Sequence, residues 1–316
     1  MFAICLESSH KKGMGHLFRM LTFAKYLTQK AQKIIFIIND HEKTKEILEL
    51  NKYEYEIANL KDITSDWEST LNKTYNFRYW INDRLDTNIN HVKNVLKNNI
   101  KIITFDDLGS GATESNLNIC GLFFNENNLK GKKVLRGIQY LILNPEINNL
   151  RKKRNEFKKV IVSFGGSDTY GVTVKVLKLL KKYHINASIH IGPSFQHHED
   201  LNKELTKNYK TISFVPSFIK ELSKYDLAIT GGGITPFEAN YLGIPSLIVA
   251  NEPHEINNGR FLEKIGSSYF LGFHTEINET YFRTLKTLDL EKLSSNAISK
   301  LKHNALEEIF KEINNL

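Results

Sequence analysis

Residues Tyr225–Pro245 read YDLAITGGGITPFEANYLGIP, and this stretch contains the clearest strand–turn–helix pattern of the chain. The apolar run at Leu227–Ile229 predicts a buried strand, the three glycines at 231–233 predict a turn, and the residues that follow predict a helix. Backbone N–H groups converge at such a turn, and the dipole of the helix is positive there. The stretch therefore predicts an anion site, with the Glu238 carboxylate in the first turns of the helix.

The same rhythm of strand, turn and helix extends outward over most of the chain. Apolar strands are predicted at Phe2–Leu6, Lys33–Ile38 and Ile100–Phe105 in the first half and at Lys159–Phe164 in the second, with helical spacing between them. Strands that alternate with helices predict right-handed βαβ units and parallel sheets. We therefore expect an α/β fold of two Rossmann-like domains whose sheets face each other across a cleft.

The chain is 316 residues long, and length alone suggests about two domains. A polar stretch follows Asn144-Pro145 and includes the basic run Arg151–Arg154, which is typical of a connection between domains. We place the first domain at residues 1–148 and the second at 149–316. We also consider that the last helices pack back on the first domain.

The composition argues against several classes of protein. The formal net charge is +8, with 43 basic against 35 acidic residues, but the basic residues are spread out and nucleic-acid binding is not predicted. Cys5 and Cys120 have neither metal-ligand spacing nor the number of a disulfide framework. No apolar run approaches the ~20 residues of a membrane helix, and the N-terminus lacks the pattern of a signal peptide. We expect a cytoplasmic monomer without a metal or cofactor.

Polar residues follow the predicted strands of the first half, where parallel sheets bind ligands. The turn after the first strand contains Gly13, Gly15 and His16, and Arg19 lies one helical turn further on the same face. The positive end of a helix favours the neutral form of a histidine, which can act as a general base for water. A plain strand-to-helix turn is the alternative for this segment.

A second polar cluster follows the strand predicted at Asn76–Ile81. We expect Asn82, Asp83 and Arg84 to bind sugar hydroxyls. The alternatives are a local ion pair between Asp83 and Arg84, and a capping role for Asp86 at the next helix.

A third polar cluster, Asp106-Asp107, follows the strand Ile100–Phe105. We expect one of the two carboxylates either to hydrogen-bond His16 or to hold a loop through its backbone N–H groups, although aspartate after a strand is also a common turn residue. His16, Asp83 and Asp107 are the catalytic candidates.

In the second half, two further polar loops are candidates. Gly166 and Ser167 lie in the GGSD turn at 165–168, while Asn251 and His254 lie in a polar loop that also contains Glu255. Both loops are expected to border the binding site, although a tight turn alone would also require the two glycines. None of these clusters forms a convincing metal site.

The second half is similar to the N-acetylglucosaminyltransferase family that completes lipid II, on VSFGGSD at 162–168 and ITGGGITPFEANYLGIP at 229–245. This resemblance implies the GT-B fold of nucleotide-sugar enzymes. It also implies that the glycine turn binds the diphosphate of UDP, that the helix glutamate binds the ribose, and that an apolar segment before a short helix contacts uracil. The matching positions are Gly232, Gly233, Ile234 and Thr235 for the diphosphate, Glu238 for the ribose and Val215 for uracil.

The first half resembles the UDP-sugar hydrolase family of pseudaminic acid synthesis, UDP-2,4-diacetamido-2,4,6-trideoxy-β-L-altropyranose hydrolase. The GxGHxxRxLxLA segment of that family is matched by GMGHLFRML at 13–21, its strand ending in Asp-Asp by 105–107, and its GG[ST]D turn by 165–168. The resemblance implies that His16 serves the attacking water and that UDP leaves from C1 by C–O cleavage without a metal. The Asn82–Asp86 loop replaces an Asp-His-Tyr-type sequence of the family, which implies a different sugar.

From the sequence we therefore expect a hydrolase that cleaves a UDP-linked acetamido sugar at its anomeric carbon, in nonulosonic acid or surface-glycan biosynthesis. The expected partner is the UDP-sugar substrate alone, with no nucleic acid and no stable membrane insertion. A GT-B glycosyltransferase that uses a UDP-sugar donor is the alternative, although the first half shows no obvious apolar and basic patch for a lipid acceptor. A non-enzymatic nucleotide-sugar sensor is the third interpretation.

Overall fold

The computed structural model describes residues 1–8, 15–122, 128–213, 215, 217–302 and 304–316. The chain divides into two compact units. The first comprises Met1–Asn144 together with Asn304–Leu316, and the second comprises Pro145–His303. Each unit contains one parallel sheet, as the alternation of strands and helices predicts.

Within the described residues, the sheet of the first unit has seven strands in the order β3-β2-β1-β4-β5-β6-β7. The strands are β1 Phe2–Leu6, β2 Ile34–Ile38, β3 Tyr55–Ile57, β4 Tyr79–Asp83, β5 Lys101–Phe105, β6 Leu117–Cys120 and β7 Val134–Arg136. The helices are α1 Gly15–Gln29, α2 Glu42–Leu50, α3 Trp67–Tyr75, α4 Ile89–Leu96 and, at the end of the chain, α13 Ala305–Asn314.

The central strands of this sheet are buried on both faces, which is why they are almost continuously apolar. On one face, Ile81 packs in a core with α1 and with Ile309 and Ile313 of α13. On the other face, Trp80 packs in a core with Val92 of α4. The last helix of the chain therefore contributes to the core of the first unit.

Within the described residues, the sheet of the second unit has six strands in the order β10-β9-β8-β11-β12-β13. The strands are β8 Val160–Ser163, β9 Ala187–His190, β10 Tyr209–Ile212, β11 Leu227–Thr230, β12 Ser246–Ala250 and β13 Ser268–Phe273. The helices are α5 Glu146–Leu150, α6 Val172–Lys182, α7 His198–Glu204, α8 Phe218–Leu222, α9 Thr235–Tyr241, α10 Glu255–Lys264, α11 Thr280–Arg283 and α12 Leu290–Lys300.

Two local predictions from the sequence are wrong. The N-cap of α4 is Asn88, whose side chain accepts a hydrogen bond from a backbone N–H in the first turn, so Asp86 does not cap this helix. The apolar residues of Ile138–Leu143 also predict a strand, but this segment forms a short 3-10 helix at Ile138–Tyr140.

Two kinds of feature are absent from the described ranges. No helix there combines the length and the hydropathy that a membrane span requires. No group of three His, Cys, Asp or Glu side chains is arranged to hold a metal ion.

Candidate functional site

Each sheet reverses its strand order at one point, between β1 and β4 in the first unit and between β8 and β11 in the second. Open α/β sheets bind ligands outside the carboxyl ends of the strands at such a point. In the first unit, His16 follows β1 and Asp83 ends β4. In the second unit, Gly166 follows β8 and the glycine turn follows β11. Each unit therefore has candidate residues at its own switch point.

The strand β4 runs two residues beyond its predicted end at Ile81, so it includes Asn82 and Asp83. Because side chains alternate along a strand, these two residues point to opposite faces of the sheet. Asp83 is fully buried on the face that α1 covers, and its Oδ1 lies 2.7 Å from His16 Nδ1. The histidine of the first turn is thus paired with the aspartate at the end of β4.

Arg19 holds this aspartate through several hydrogen bonds. Its Nε donates to Asp83 Oδ2 over 2.9 Å, a second nitrogen donates to Asp83 Oδ1, and a third donates to Asp106. Burial alone would raise the pKa of Asp83, but the charge of Arg19 and the hydrogen bonds from His16 and Arg19 outweigh burial and lower the pKa.

The ionisation of Asp83 fixes the tautomer of His16. An ionised carboxylate can only accept hydrogen bonds, so Nδ1 of His16 carries the proton that it shares with Asp83. In the neutral imidazole the other nitrogen, Nε2, then keeps its lone pair. The His16 side chain is 16% exposed, so it retains access from outside.

The two adjacent aspartates after β5 have different partners. Asp106 has a left-handed backbone with a φ of 52° and pairs with Arg19. Asp107 accepts hydrogen bonds at its Oδ1 from the backbone N–H groups of Thr87, at 3.0 Å, and Gly109, at 2.9 Å. Asp107 therefore holds two loops and does not reach the histidine. The geometry corrects its assignment as a catalytic residue.

Asn82 and Arg84 point into the first unit. The Oδ1 of Asn82 accepts a hydrogen bond from Trp80 Nε1 at 3.0 Å and lies 3.3 Å from His91 Nε2. Arg84 is only 8% exposed and donates to the carbonyl of Leu60 over 2.7 Å. The expectation that these two side chains bind a sugar is therefore corrected, because strand alternation turns one inward and the loop buries the other.

The first turn contains two candidate glycines, Gly13 and Gly15, and the structure describes only Gly15. Gly13 lies outside the described residues. Gly15 begins α1 and is exposed, and a Cβ built on it would meet no atom within 4 Å. There is therefore room for a ligand beside Gly15.

In the second unit, Glu255 of α10 occupies one side of the glycine turn. Its Oε2 accepts the N–H of Gly232 at 3.0 Å and the N–H of Asn251 at 2.7 Å. A Cβ on Gly232 would lie 2.7 Å from the carbonyl oxygen of Glu255, so only glycine allows this close approach. Gly232 therefore anchors α10, which corrects the expectation that its N–H binds a diphosphate.

The next three N–H groups of the turn are available to a ligand. Among the described residues, no acceptor hydrogen-bonds the N–H groups of Gly233, Ile234 and Thr235, which stand at the start of α9. A Cβ on Gly233 would meet only Glu255 Oε1, at 3.5 Å. Unpaired N–H groups at a helix start can donate to an anion.

Glu238 lies one turn inside α9 and is partly buried. Burial raises the pKa of its carboxyl to about 7. Burial is the single cause of this shift, and in the described part of the chain no cation or hydrogen-bond donor offsets it. A carboxyl in this state can accept hydrogen bonds from the hydroxyls of a ligand.

The remaining candidates of the second unit lie in other loops of the sheet. Gly166 and Ser167 are exposed in the loop after β8. The side-chain nitrogen of Asn251 would lie 2.9 Å from a Cβ on Gly231, so Asn251 lines the turn directly. Val215 follows the edge strand β10, and His254 is exposed immediately before α10.

The sequence pattern places Glu255 in a polar loop but does not predict its contact with the glycine turn. The signal that marks it is a glutamate in the first turn of a helix directly after a buried strand, where the dipole favours a carboxylate. Asp168, by contrast, uses both carboxylate oxygens to accept the N–H groups of Val172 and Thr173, each at 2.8 Å. It therefore stabilises the first turn of α6.

Comparison with known proteins gives one family match and two relatives. Residues 160–313 match the model of the glycosyltransferase family 28 C-terminal domain. The chain is 29% identical over 318 residues to uncharacterized protein MJ1062 of Methanocaldococcus jannaschii, which covers 91% of this chain. The chain spans only 63% of the length of that relative. It is 23% identical over 292 residues to the spore coat polysaccharide biosynthesis protein SpsG of Bacillus subtilis, covering 85% of this chain and 83% of SpsG.

Solved structures match the whole chain. Anabaena Alr3699/HepE in complex with UDP superposes with a TM-score of 0.72 at 12% identity and covers 100% of both chains. The fold is that of the GT-B proteins. MurG of Acinetobacter baumannii superposes with a TM-score of 0.70 at 13% identity and covers 100% of this chain and 99% of MurG. Together with the two parallel sheets, these similarities confirm the prediction of an α/β fold with two Rossmann-like domains.

Proposed function

We propose that the chain is a hydrolase that releases UDP from a UDP-linked acetamido sugar by attack of water on the anomeric carbon. The observation that carries this proposal is the hydrogen bond of 2.7 Å between ionised Asp83 and His16 Nδ1. This pairing leaves Nε2 of His16 able to accept a proton, and a histidine so oriented is suited to general-base catalysis on water.

The second unit supplies the nucleotide site in this proposal. The N–H groups of Gly233, Ile234 and Thr235 would bind the diphosphate, and Glu238 would accept hydrogen bonds from the ribose hydroxyls. Fixed donors of this kind can stabilise the charge that develops on a leaving group, by about 3–4 kcal/mol per donor. The UDP in the HepE structure and the name of SpsG as a polysaccharide biosynthesis protein support a UDP-sugar substrate.

The proposed reaction balances in atoms and electrons. The oxygen of water bonds to C1 of the sugar as the bond from C1 to the diphosphate oxygen breaks, and the electron pair of that bond leaves with UDP. His16 takes the proton of the water and passes it to solvent. The product is a free acetamido sugar, which would enter nonulosonic acid or surface-glycan synthesis, as the resemblance of the first half implies.

A glycosyltransferase is the second candidate, and the family match of residues 160–313 favours it. In that case His16 would take the proton of an acceptor hydroxyl in place of water. The two reactions share the nucleotide site and the base, so only the identity of the attacking oxygen separates them.

The direct test is UDP release from a panel of UDP-sugars without an added acceptor. We expect release by the wild type and a loss of about 100-fold or more in His16→Ala, the usual contribution of a general base. His198→Ala, at an exposed position in α7, is the matched control and should keep full activity. UDP release that requires an acceptor would establish the transferase, and UDP binding without turnover in either assay would indicate a sensor.

A further inference from the structure

Two exposed leucines border the charged cluster of the first unit, and we call Leu85 and Leu108 the leucine pair. Leu85 is 43% exposed and Leu108 is 49% exposed. The backbone N–H of Leu108 donates to the carbonyl of Leu85 over 2.9 Å, so the loops after β4 and β5 run side by side. Two residues with large, exposed apolar side chains are therefore backbone neighbours at the carboxyl end of the sheet.

Each leucine follows a carboxylate that binds Arg19. Leu85 lies two residues after Asp83, and Leu108 lies two residues after Asp106. Two residues of chain span about 7 Å at most. Along the backbone, Leu85 is thus within that distance of the aspartate that pairs with His16, and Leu108 is within it of an aspartate that pairs with Arg19.

The backbone of Leu85 is in the left-handed region, with a φ of 65°. Glycine or asparagine adopts this conformation readily, whereas a residue with a large side chain is strained in it. An exposed leucine gains little from burial to offset this strain. Local strain of this kind gathers at functional sites, and a contact between the side chain and a ligand would account for it.

The other side chains of the loop are not available to a ligand at this surface. Asn82 is fully buried, and Arg84 donates to the carbonyl of Leu60. A group that touches the loop from outside therefore meets leucine carbon atoms and the exposed Asp86. An apolar group fits the leucine pair, because a hydroxyl there would lose hydrogen bonds to water without replacement.

We propose that the leucine pair is a specificity site that contacts a methyl group of the substrate sugar, either of a deoxy position or of an N-acyl substituent. This inference rests on the proposed function and assigns the residues that select the sugar. The occupant is the substrate itself, because Leu85 lies two residues after Asp83, which pairs with His16, and Leu108 lies two residues after Asp106, which pairs with Arg19.

The test compares kcat/KM for UDP release between sugars that differ only by methyl against hydroxymethyl. One pair is a UDP-N-acetyl-6-deoxyhexosamine and its 6-hydroxy counterpart, and the other is an N-acetyl sugar and its N-glycolyl counterpart. A hydrophobic site discriminates by about ten-fold or more for such a difference. We expect the wild type to prefer the methyl member of at least one pair by this factor.

Leu85→Asn is the informative variant, because asparagine tolerates the left-handed conformation and should fold at least as well. We expect its preference to fall to near one, while inhibition by free UDP stays unchanged. Leu50→Asn, which changes a leucine that is 81% exposed at the end of α2, is the matched control and should keep the wild-type preference.

The possible outcomes separate this inference from the proposed function. If no UDP-sugar is turned over, the proposed function fails and the inference fails with it. If UDP is released but the wild type shows no preference, or Leu85→Asn keeps it, the inference alone is contradicted. Loss of self-association or of binding to phospholipid vesicles in Leu85→Asn, with the sugar preference unchanged, would assign the leucine pair to a macromolecular contact and would also contradict it.

Discussion

Asp83 is the residue on which the proposed chemistry most depends. Asp83→Asn removes the ionised acceptor that fixes the tautomer of His16, so we expect UDP release to fall by about 100-fold or more. It also leaves the Arg19 guanidinium without its main partner, which should lower the free energy of unfolding by about 3–5 kcal/mol. UDP release, measured well below the melting temperature, and urea denaturation check the two effects.

Asp106→Asn is the comparison variant that separates an effect on catalysis from an effect on stability. It weakens the hold on Arg19 but leaves the pairing between Asp83 and His16 intact. We expect lower stability with a much smaller loss of turnover. Equal losses of activity in the two variants would show that the cluster acts only through folding.

We expect Glu238 to make the affinity for UDP depend on pH. Its carboxyl has a pKa of about 7 and, when ionised, can accept hydrogen bonds from both ribose hydroxyls. Below pH 7 the group protonates and one of its oxygens becomes a donor, so the Kd for UDP should rise, by at most about ten-fold per pH unit. Calorimetric titration between about pH 6 and pH 8 measures this dependence. A Glu238→Gln variant with the same slope as the wild type would refute the assignment.

The same carboxyl also affects stability, with a definite sign. Its pKa in the folded chain lies above the ordinary value of 4.5, so the native state binds more protons than the unfolded state between these two pH values. The free energy of unfolding therefore falls as the pH rises through this window. We expect Glu238→Gln to gain about 1–3 kcal/mol over the wild type near pH 8 and nothing near pH 4. Urea denaturation at both pH values checks this.

At the residue scale, the sequence located His16, Arg19 and Asp83 but not their pairing. The strand β4 runs two residues beyond its predicted end, and this extension decides which of Asn82 and Asp83 faces α1. Sequence patterns locate the ends of strands only to within about two residues. The inward turn of Arg84 depends on tertiary contacts that no local pattern shows.

At the scale of elements, the glycine turn and α10 are locked together. Gly232→Ala would place a Cβ 2.7 Å from the backbone of Glu255, so we expect a loss of about 1–3 kcal/mol of stability from overpacking. Gly233→Ala has open space apart from one flexible carboxylate oxygen and is the matched control, with an expected change within about 0.5 kcal/mol. Thermal or urea unfolding of the two variants should separate them clearly, and equal losses would show that α10 is not anchored in this way.

The position of Glu255 shows why this contact was not predicted. The turn after β11 and the loop after β12 meet because these strands are neighbours in the sheet. The order of strands depends on the whole sheet. The local sequence of the loop after β12 therefore does not show that this loop contacts the glycine turn.

At the scale of the whole molecule, the two units have separate cores, and the last helix completes the first. Ile309 of α13 is fully buried in the first core, so Ile309→Ala should cost about 2–5 kcal/mol. Both tryptophans, Trp67 and Trp80, belong to the first unit, so tryptophan fluorescence reports its unfolding. We expect the urea midpoint by fluorescence to fall in Ile309→Ala and to stay constant in the exposed control Lys311→Ala. An unchanged midpoint in the first variant would show that α13 does not stabilise this unit.

The alternation of apolar strands and amphipathic helices was enough to predict two parallel sheets, because buried parallel strands have a distinctive composition. The amphipathic pattern of α13 does not indicate which unit the helix packs against, because that depends on contacts between residues far apart in the sequence. The short strand β7 was missed because three residues give too little pattern to recognise.

Turnover in ¹⁸O-labelled water distinguishes attack of water on the anomeric carbon from the other possible reactions of a UDP-sugar. We predict that without an acceptor the label appears at C1 of the released sugar, that UDP stays unlabelled, and that His16→Ala abolishes the incorporation. Label in the phosphate of UDP, or release of UDP only when an acceptor is added, would contradict attack of water on the anomeric carbon.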